Sequence, residues 1–298
     1  MHTISMLLKQ HSYSSYNIEL NTKHHRFKEI QSLVGKAKKS ETPVDQKWLD
    51  EIKELAAELQ KDSVSFPNNV TFLNFVDYLA LPTLVYELEY PRTETFRLWY
   101  FLDRLGATFC SFALLYVSYE HYIYPVLLEM PNLSFFDSLI QLLLPFMVVY
   151  LLIFYIIFEC ICNGMAELTM FADRGFYEDW WNSATFDEFA RKWNKPVHEF
   201  LLRHIYLESI TNYKLSRTDA TFLTFFLSSC LHELVLLVVG KRLRLWFFGL
   251  QMFQIPLIYI GRIPAVRKRK VLGNLIFWFG MFLGPPLLAV VYLREHYC

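Results

Sequence analysis

The sequence carries no net charge, since its 298 residues hold 29 Lys and Arg against 29 Asp and Glu. That balance removes the electrostatic footprint of a protein that binds nucleic acid or another polyanion, and no nucleic-acid partner is expected. Patterned cysteine is lacking too. Cys110, Cys160, Cys162, Cys230 and Cys298 fall mostly in apolar stretches and show neither metal-ligand nor redox spacing, so buried, inert thiols and no metal site are expected. The N-terminal residues show no charged tip followed by an apolar run, so no cleavable signal peptide is read there. The tail His296-Tyr297-Cys298 carries no retention motif, and no repeats or low-complexity tracts occur. The Gly-x-Ser-x-Gly elbow of serine hydrolases is missing. The zinc-protease pattern fails as well, because Leu236 stands where its second histidine would follow His232-Glu233.

What the sequence has in quantity is apolar residues, at 54%. A spanning helix needs about 20 of them in a row. Leu139 to Ile161 supplies such a run, followed by Ala220 to Val239, Leu245 to Ile260, Val271 to Leu293, and Phe96 to Tyr119, which carries Arg97, Asp103 and Arg104 near its start. The expected fold is therefore all-α, a polytopic membrane helical bundle with about five spans and additional interfacial amphipathic helices. Residues 1–95 read as a cytosolic and interfacial portion and 96–298 as the membrane core, within one domain overall.

Lys and Arg crowd the residues before Phe96, the Gly164 to Thr218 segment, and Arg267-Lys268-Arg269-Lys270. With five spans these regions share the cytosolic face, while Lys241-Arg242-Leu243-Arg244 falls on the lumenal side against the trend. Asn132-Leu133-Ser134 is a glycosylation sequon in the expected lumenal loop. Val70 to Leu88, interrupted by Asp77, Pro82 and Glu87, reads as half-buried or interfacial. Thr42 to Lys61 reads as an amphipathic helix with Thr42 as N-cap, Pro43 in the first turn, and Val44, Trp48, Ile52, Leu55 and Leu59 on one face.

The Gly164 to Thr218 segment is too charged to span yet dense in aromatics, including Phe176, Tyr177, Trp180, Trp181 and Trp193. Two readings fit: an aromatic belt at the headgroup level, or a binding platform. Thr185 and Glu188 form a capping box, so a helix is expected from Phe186 towards Trp193. A second is expected to start near Asn194, because Pro196 is tolerated only in a first turn. Asn194 is then either a plain N-cap or a polar group used in chemistry. The cations Arg191, Lys192, Lys195, Arg203, Lys214 and Arg217 read as phosphate partners or as a solvated face.

His232 lies inside an apolar span, where an ionisable group costs about 2.5–3.5 kcal/mol if charged and asks for a function. It is either a neutral imidazole bonded to a neighbouring helix or a base, and both uses need the neutral form. Ser228 and Ser229 share its helical face, with bonds between helices as their expected role, whereas Glu233 is rotated by about 100° and points elsewhere. No simple His–Glu dyad is expected.

Phe176-Tyr177-Glu178-Asp179-Trp180-Trp181-Asn182, Trp193-Asn194-Lys195-Pro196-Val197-His198 and the Phe226 to Leu234 block together resemble the membrane-bound O-acyltransferase superfamily. The resemblance is to its acyl-CoA:sterol and acyl-CoA:diacylglycerol branch, and Tyr90-Pro91-Arg92-Thr93 and Lys241 to Arg244 look most like the fungal sterol enzymes. It implies a reaction tunnel and an endoplasmic reticulum, multi-pass location. It implies long-chain acyl transfer from acyl-CoA to a sterol 3β-hydroxyl, with diacylglycerol acylation or an inactive lipid-binding fragment as alternatives. Acyl-CoA is then co-substrate, with no permanently bound cofactor, membrane sterol and bilayer as partners, and a homo-oligomer as the assembly. His232 matches the family's base, Asn194 its polar partner, and His198 a histidine beside the acyl-CoA channel. Arg191, Tyr206, Arg217 and Ser228 fall where the sterol branch lines its cofactor path. Phe176, Tyr177, Asp179, Trp180, Trp181, Asn182 and Trp193 are expected at the substrate or acyl-CoA surface. Family members carry further spans upstream of the portion resembling Met1 to Gln31, so a chain truncated at its N-terminus is expected.

Overall fold

The computed structural model describes residues 2–40, 43–264 and 268–297. They form two compact units, Met1–Thr95 with Thr169–Asp173, and Phe96–Leu168 with Arg174–Cys298.

In the first unit, a long helix, His2–Lys39, packs against Gln46–Leu59. Trp48, Ile52, Leu55 and Leu59 form the covered stripe of the second helix, as their spacing predicts. Its start differs from expectation. Asp45 is the N-cap, accepting from the Lys47 N–H, and Pro43 and Val44 precede the helix; Thr42 lies outside the described residues. Asp45 takes over because its carboxylate reaches an orphan N–H of the first turn. The Val70 to Leu88 stretch holds only a short helix, Phe72–Ala80, capped by Thr71, in agreement with a non-spanning segment. Beyond it, the buried Lys9 ammonium donates to the carbonyls of Tyr78, Leu79 and Leu81. Burial pulls Lys9 down to about 8, and three acceptors suit the three N–H groups that only the ammonium has.

The second unit is the helical bundle. Four of its helices are long and apolar enough to cross a bilayer: Leu98–Asn132, Phe135–Leu168, Arg217–Gly240 and Lys270–Glu295. They contain four of the five expected spans. Two arginines at the start of the first are paired with carboxylates of the second. Arg104 meets Glu159 at 2.6 Å, and the fully buried Glu167 accepts from Arg97 at 2.8 Å and from Arg174. The guanidiniums of Arg97, Arg104 and Arg174 surround the Tyr100 ring at 4.6, 5.2 and 5.2 Å. Pairing is what makes these groups tolerable there, since an unpaired charge in a low-dielectric interior is strongly unfavourable. Two of the cysteines expected to be buried, Cys110 and Cys230, are exposed on the first and third of these helices, because an apolar run suits lipid as well as it suits a protein interior.

The expected Leu245 to Ile260 span is not one helix. It is built as Trp246–Met252 and Gln254–Arg262, meeting at Phe253. Pro256 has no N–H and fits only a first turn, so the helix restarts at Gln254. The pair still carries the chain from one end of the bundle to the other. Trp246 Nε1 bonds Glu295 at the end of the last span, whereas Gly261 lies against Thr185, close to where that span starts at Gly273 and Ala184. Arg244, one of the cations that ran against the trend, is paired with Glu295.

Candidate active site

The Arg217–Gly240 span begins under a Ser216 cap and places His232 past its middle. The ring Nδ1 lies 2.7 Å from the Ser228 carbonyl one turn back. A carbonyl only accepts, so in the neutral ring Nδ1 carries the proton and Nε2 presents a bare lone pair. Phe247 meets the imidazole edge-on at 5.1 Å and 79°. No hydrogen bond to a neighbouring helix holds this histidine among the described residues; its own helix does. The Ser229 hydroxyl likewise bonds back to Phe225 O at 2.7 Å, so the expected bond between helices is replaced by one within the helix. Ser228 contributes its carbonyl to the ring.

Glu233 points away from His232, as expected, and is 3% exposed. Its carboxylate accepts from the N–H groups of Leu245 at 2.9 Å, Phe248 at 3.1 Å and Arg244 at 3.4 Å, and from the Tyr292 hydroxyl at 3.1 and 3.3 Å.

In the 174–198 stretch both helix expectations hold. Thr185 caps Phe186–Trp193, and Glu188 returns a bond to the Ala184 N–H at 3.0 Å, one residue earlier than the capping-box ideal. Asn194 caps Lys195–Leu201, its Oδ1 accepting from Val197 N–H at 3.2 Å. The cap occupies only the oxygen; the Asn194 amide NH2 has no partner among the described residues. Two main-chain bonds bracket it, Glu178 N–H to Lys192 O at 2.9 Å and Lys195 N–H to Phe176 O at 3.0 Å. Side chains repeat the pairing, with Asp179–Lys192 at 2.9 Å and Glu178–Lys195 at 3.2 Å.

The motif aromatics divide by role. Phe176 and Trp180 are buried, and Trp193 stacks on Tyr150 at 5.1 Å within a cluster that includes Phe154, Trp180 and Phe189. These rings are core, held by mutual edge and face contacts. Trp181 is exposed. Tyr177 donates to Glu159 at 3.0 Å, and burial followed by that carboxylate pushes its hydroxyl up to about 12. Asn182 turns back on Asp179, whose carboxyl the Lys192 ammonium holds below the usual range.

Of the expected cofactor-path residues, Arg191 is exposed and paired with Asp187 at 2.8 Å. His198 is half-buried, and burial, then the Arg191 and Lys195 charges, lower its basicity. Tyr206 lies in the 202–207 stretch that packs against the His232 span, and Arg217 is exposed in the first turn of that span. Among the described residues no hydrogen bond joins Asn194 to His232.

Sequence reasoning did not single out the residues that fasten the motif. Asn274 Nδ2 donates to Trp181 O at 3.0 Å and Ser183 O at 2.9 Å, and Trp278 Nε1 donates to Trp181 O at 3.0 Å. Gly273 permits this approach, because a Cβ there would stand 2.5 Å from Ala184 O. An asparagine and a glycine inside an apolar helix were the available signal.

Comparison with known proteins follows the same residues. The membrane-bound O-acyltransferase family matches residues 7–294. The chain is 36% identical to the probable sterol O-acyltransferase 1 of Schizosaccharomyces pombe, over 98% of this chain and 61% of that relative. It is 40% identical to the probable sterol O-acyltransferase 2 of the same yeast, over 98% and 63%, and 32% identical to diacylglycerol O-acyltransferase 1A of Glycine max, over 78% and 48%. The chain thus spans from about half to under two thirds of the length of these curated relatives. A match that runs through the bundle from end to end, including both the motif loop and the histidine span, settles membership: the chain belongs to the membrane-bound O-acyltransferase family.

Proposed function

We propose that this chain carries the acyl-transfer centre of a sterol O-acyltransferase of the endoplasmic reticulum membrane, working in a homo-oligomer, with residues 96–298 as the core. The observation that carries the reading is the His232 ring, held through Nδ1 by Ser228 O inside a span so that Nε2 is left to accept a proton. The choice of a sterol rests on the relatives, two sterol enzymes at 36% and 40% identity against a diacylglycerol enzyme at 32% over less of the chain.

In this reading acyl-CoA comes from the side of the basic 164–218 segment, and a sterol enters from the bilayer. His232 Nε2 takes the 3β-hydroxyl proton as that oxygen attacks the thioester carbon; general-base help of this kind contributes about 10²–10⁴-fold. The C–S bond then breaks, the proton passes to the departing thiolate, and free CoA and steryl ester result. The unpartnered Asn194 amide donates to the developing oxyanion, a contact typically worth about 10²–10³-fold. Arg191, His198, Tyr206, Arg217 and Ser228 line the acyl-CoA path beside Phe176, Tyr177, Asp179, Trp180, Trp181, Asn182 and Trp193. The buried members of the last group support the path from beneath.

The test is labelled oleoyl transfer in microsomes from cells lacking their own acyltransferases, with sterol and diacylglycerol offered together. Steryl ester from the parent chain and none from His232→Ala is expected. Triacylglycerol as the main product moves the acceptor to diacylglycerol, and no product from a well-expressed chain overturns the reading.

A further inference from the structure

Resting on the assignment of His232 as base, we infer that Glu233 is a positioning residue that holds the base through the segment after its own helix. The Lys241 to Leu245 turn is entered and left through left-handed residues, with φ of 54° at Lys241 and 62° at Leu245, neither of them glycine. Such conformations are unfavourable for residues that carry a Cβ and persist only where the surroundings over-determine them. At the Leu245 end the over-determining group is the Glu233 carboxylate. It accepts from three N–H groups of the turn and the helix start, those of Arg244, Leu245 and Phe248, and from the Tyr292 hydroxyl of the last span.

Those bonds set where the Trp246–Met252 helix lies, and its first turn presents two rings to the histidine span. Phe247 stands edge-on to His232, and Phe248 stands edge-on to Phe226 at 5.7 Å and 88°. The imidazole is therefore held from two directions, by Ser228 O below and by Phe247 at its side. The first lasts only while the second keeps the ring turned towards Ser228 O, and the second depends on Glu233. Arg244 and Trp246 complete the arrangement by bonding Glu295 at 2.5 and 2.9 Å, and the Arg244 guanidinium also reaches Tyr292 O at 3.3 Å. Adjacent residues of one helix thus divide the work. His232 faces the chemistry, and Glu233, about 100° around the helix, holds the wall against which His232 rests.

Glu233→Gln tests this directly, because its amide NH2 would face backbone N–H donors and free the turn. Two readouts are taken on the full chain in nanodiscs. The first needs no turnover: ¹⁵N-histidine NMR, with His232→Ala to assign the signal, is expected to show His232 as one Nδ1–H tautomer in the parent and an averaged ring in Glu233→Gln. The second is kinetic: kcat is expected to fall about 10²-fold, the order produced by displacing a reacting group by ~1 Å, with KM for acyl-CoA and acceptor unchanged. Phe247→Ala is expected to reproduce the loss, and the double variant to add nothing, whereas multiplied losses overturn the proposal. Tyr292→Phe, which removes one donor and leaves the turn's amides, is expected to show a smaller change of the same kind and serves if Glu233→Gln does not accumulate. A fixed tautomer in both Glu233 and Tyr292 variants overturns the proposal whatever the activity. An inactive parent with a released ring in Glu233→Gln overturns the sterol reading and leaves the positioning role standing.

Discussion

The stretch from 174 to 198 and the stretch from 228 to 248 are built on opposite principles. In the first, the decisive contacts are local: Thr185 caps three residues ahead, Asn194 caps three residues ahead, and the two helices follow. In the second, one local contact, His232 to Ser228 O, orients the ring, and everything that supports it comes from farther along the chain. A polar group at the water boundary finds partners in the nearest turn, whereas a carboxylate inside a bundle must find them wherever the fold brings donors. The contrast predicts how each region fails.

The sharpest break is expected at His232. His232→Ala leaves the span intact and is expected to lower CoA release in the presence of sterol by about 10²–10⁴-fold at equal expression. A thiol-detecting assay on matched microsomes measures it, and residual turnover near that of the parent would remove the base.

At Asn194 the comparison predicts a separation of two functions carried by one amide. Asn194→Asp keeps the capping oxygen and removes the donor, so turnover is expected to drop about 10²–10³-fold with the melting midpoint unchanged. Asn194→Ala is expected to lose the same activity and, in addition, about 1 kcal/mol of stability. Full activity in the Asp variant would reduce Asn194 to a cap.

Gly273→Ala probes one of the long-range fastenings of the first region. Its new Cβ meets Ala184 O at 2.5 Å, so the last span and the motif turn must part. Overpacking of this kind is expected to destabilise by about 1–3 kcal/mol. Thermal unfolding in detergent measures it, alongside Asn274→Ala, which leaves Trp181 O one donor short and Ser183 O with none from the last span.

The smallest effect is expected at His198. Burial and the Arg191 and Lys195 charges keep it less basic than the free side chain, whose ordinary value is 6.5. As pH falls below that value the unfolded chain takes up this proton first, so the folded state loses stability until its own lowered value is reached. His198→Gln is expected to flatten that part of a stability–pH profile and leave the profile above neutrality untouched.

How much was legible follows from the range of each contact. The caps at Thr185 and Asn194, the first-turn Pro196, and the long apolar runs are signals within one helical turn or one helix, and they appear where expected. The Gln46 helix start was misplaced by a few residues because Asp45 competes with Thr42 for the same role, and both residue types suit it. The broken Leu245 to Ile260 segment misled through composition. Its hydropathy is that of a span, but Pro256 sets the boundary, and apolar content does not register a missing N–H.

The sequence by itself determined that the chain is helical and membrane-embedded, that polar caps open the two helices around Asn194, and that His232 shares a face with Ser228. These follow from periodicity, caps and the cost of a polar group in an apolar run, all of which act along the chain. Only the tertiary structure decided that Glu233, which helix geometry already turns from His232, serves the Arg244, Leu245 and Phe248 amides, that Asn274 and Gly273 seat the motif turn, and that Arg97 and Arg174 share Glu167. Those pairings join residues separated along the chain, and no local rule chooses among the buried partners that packing brings within reach.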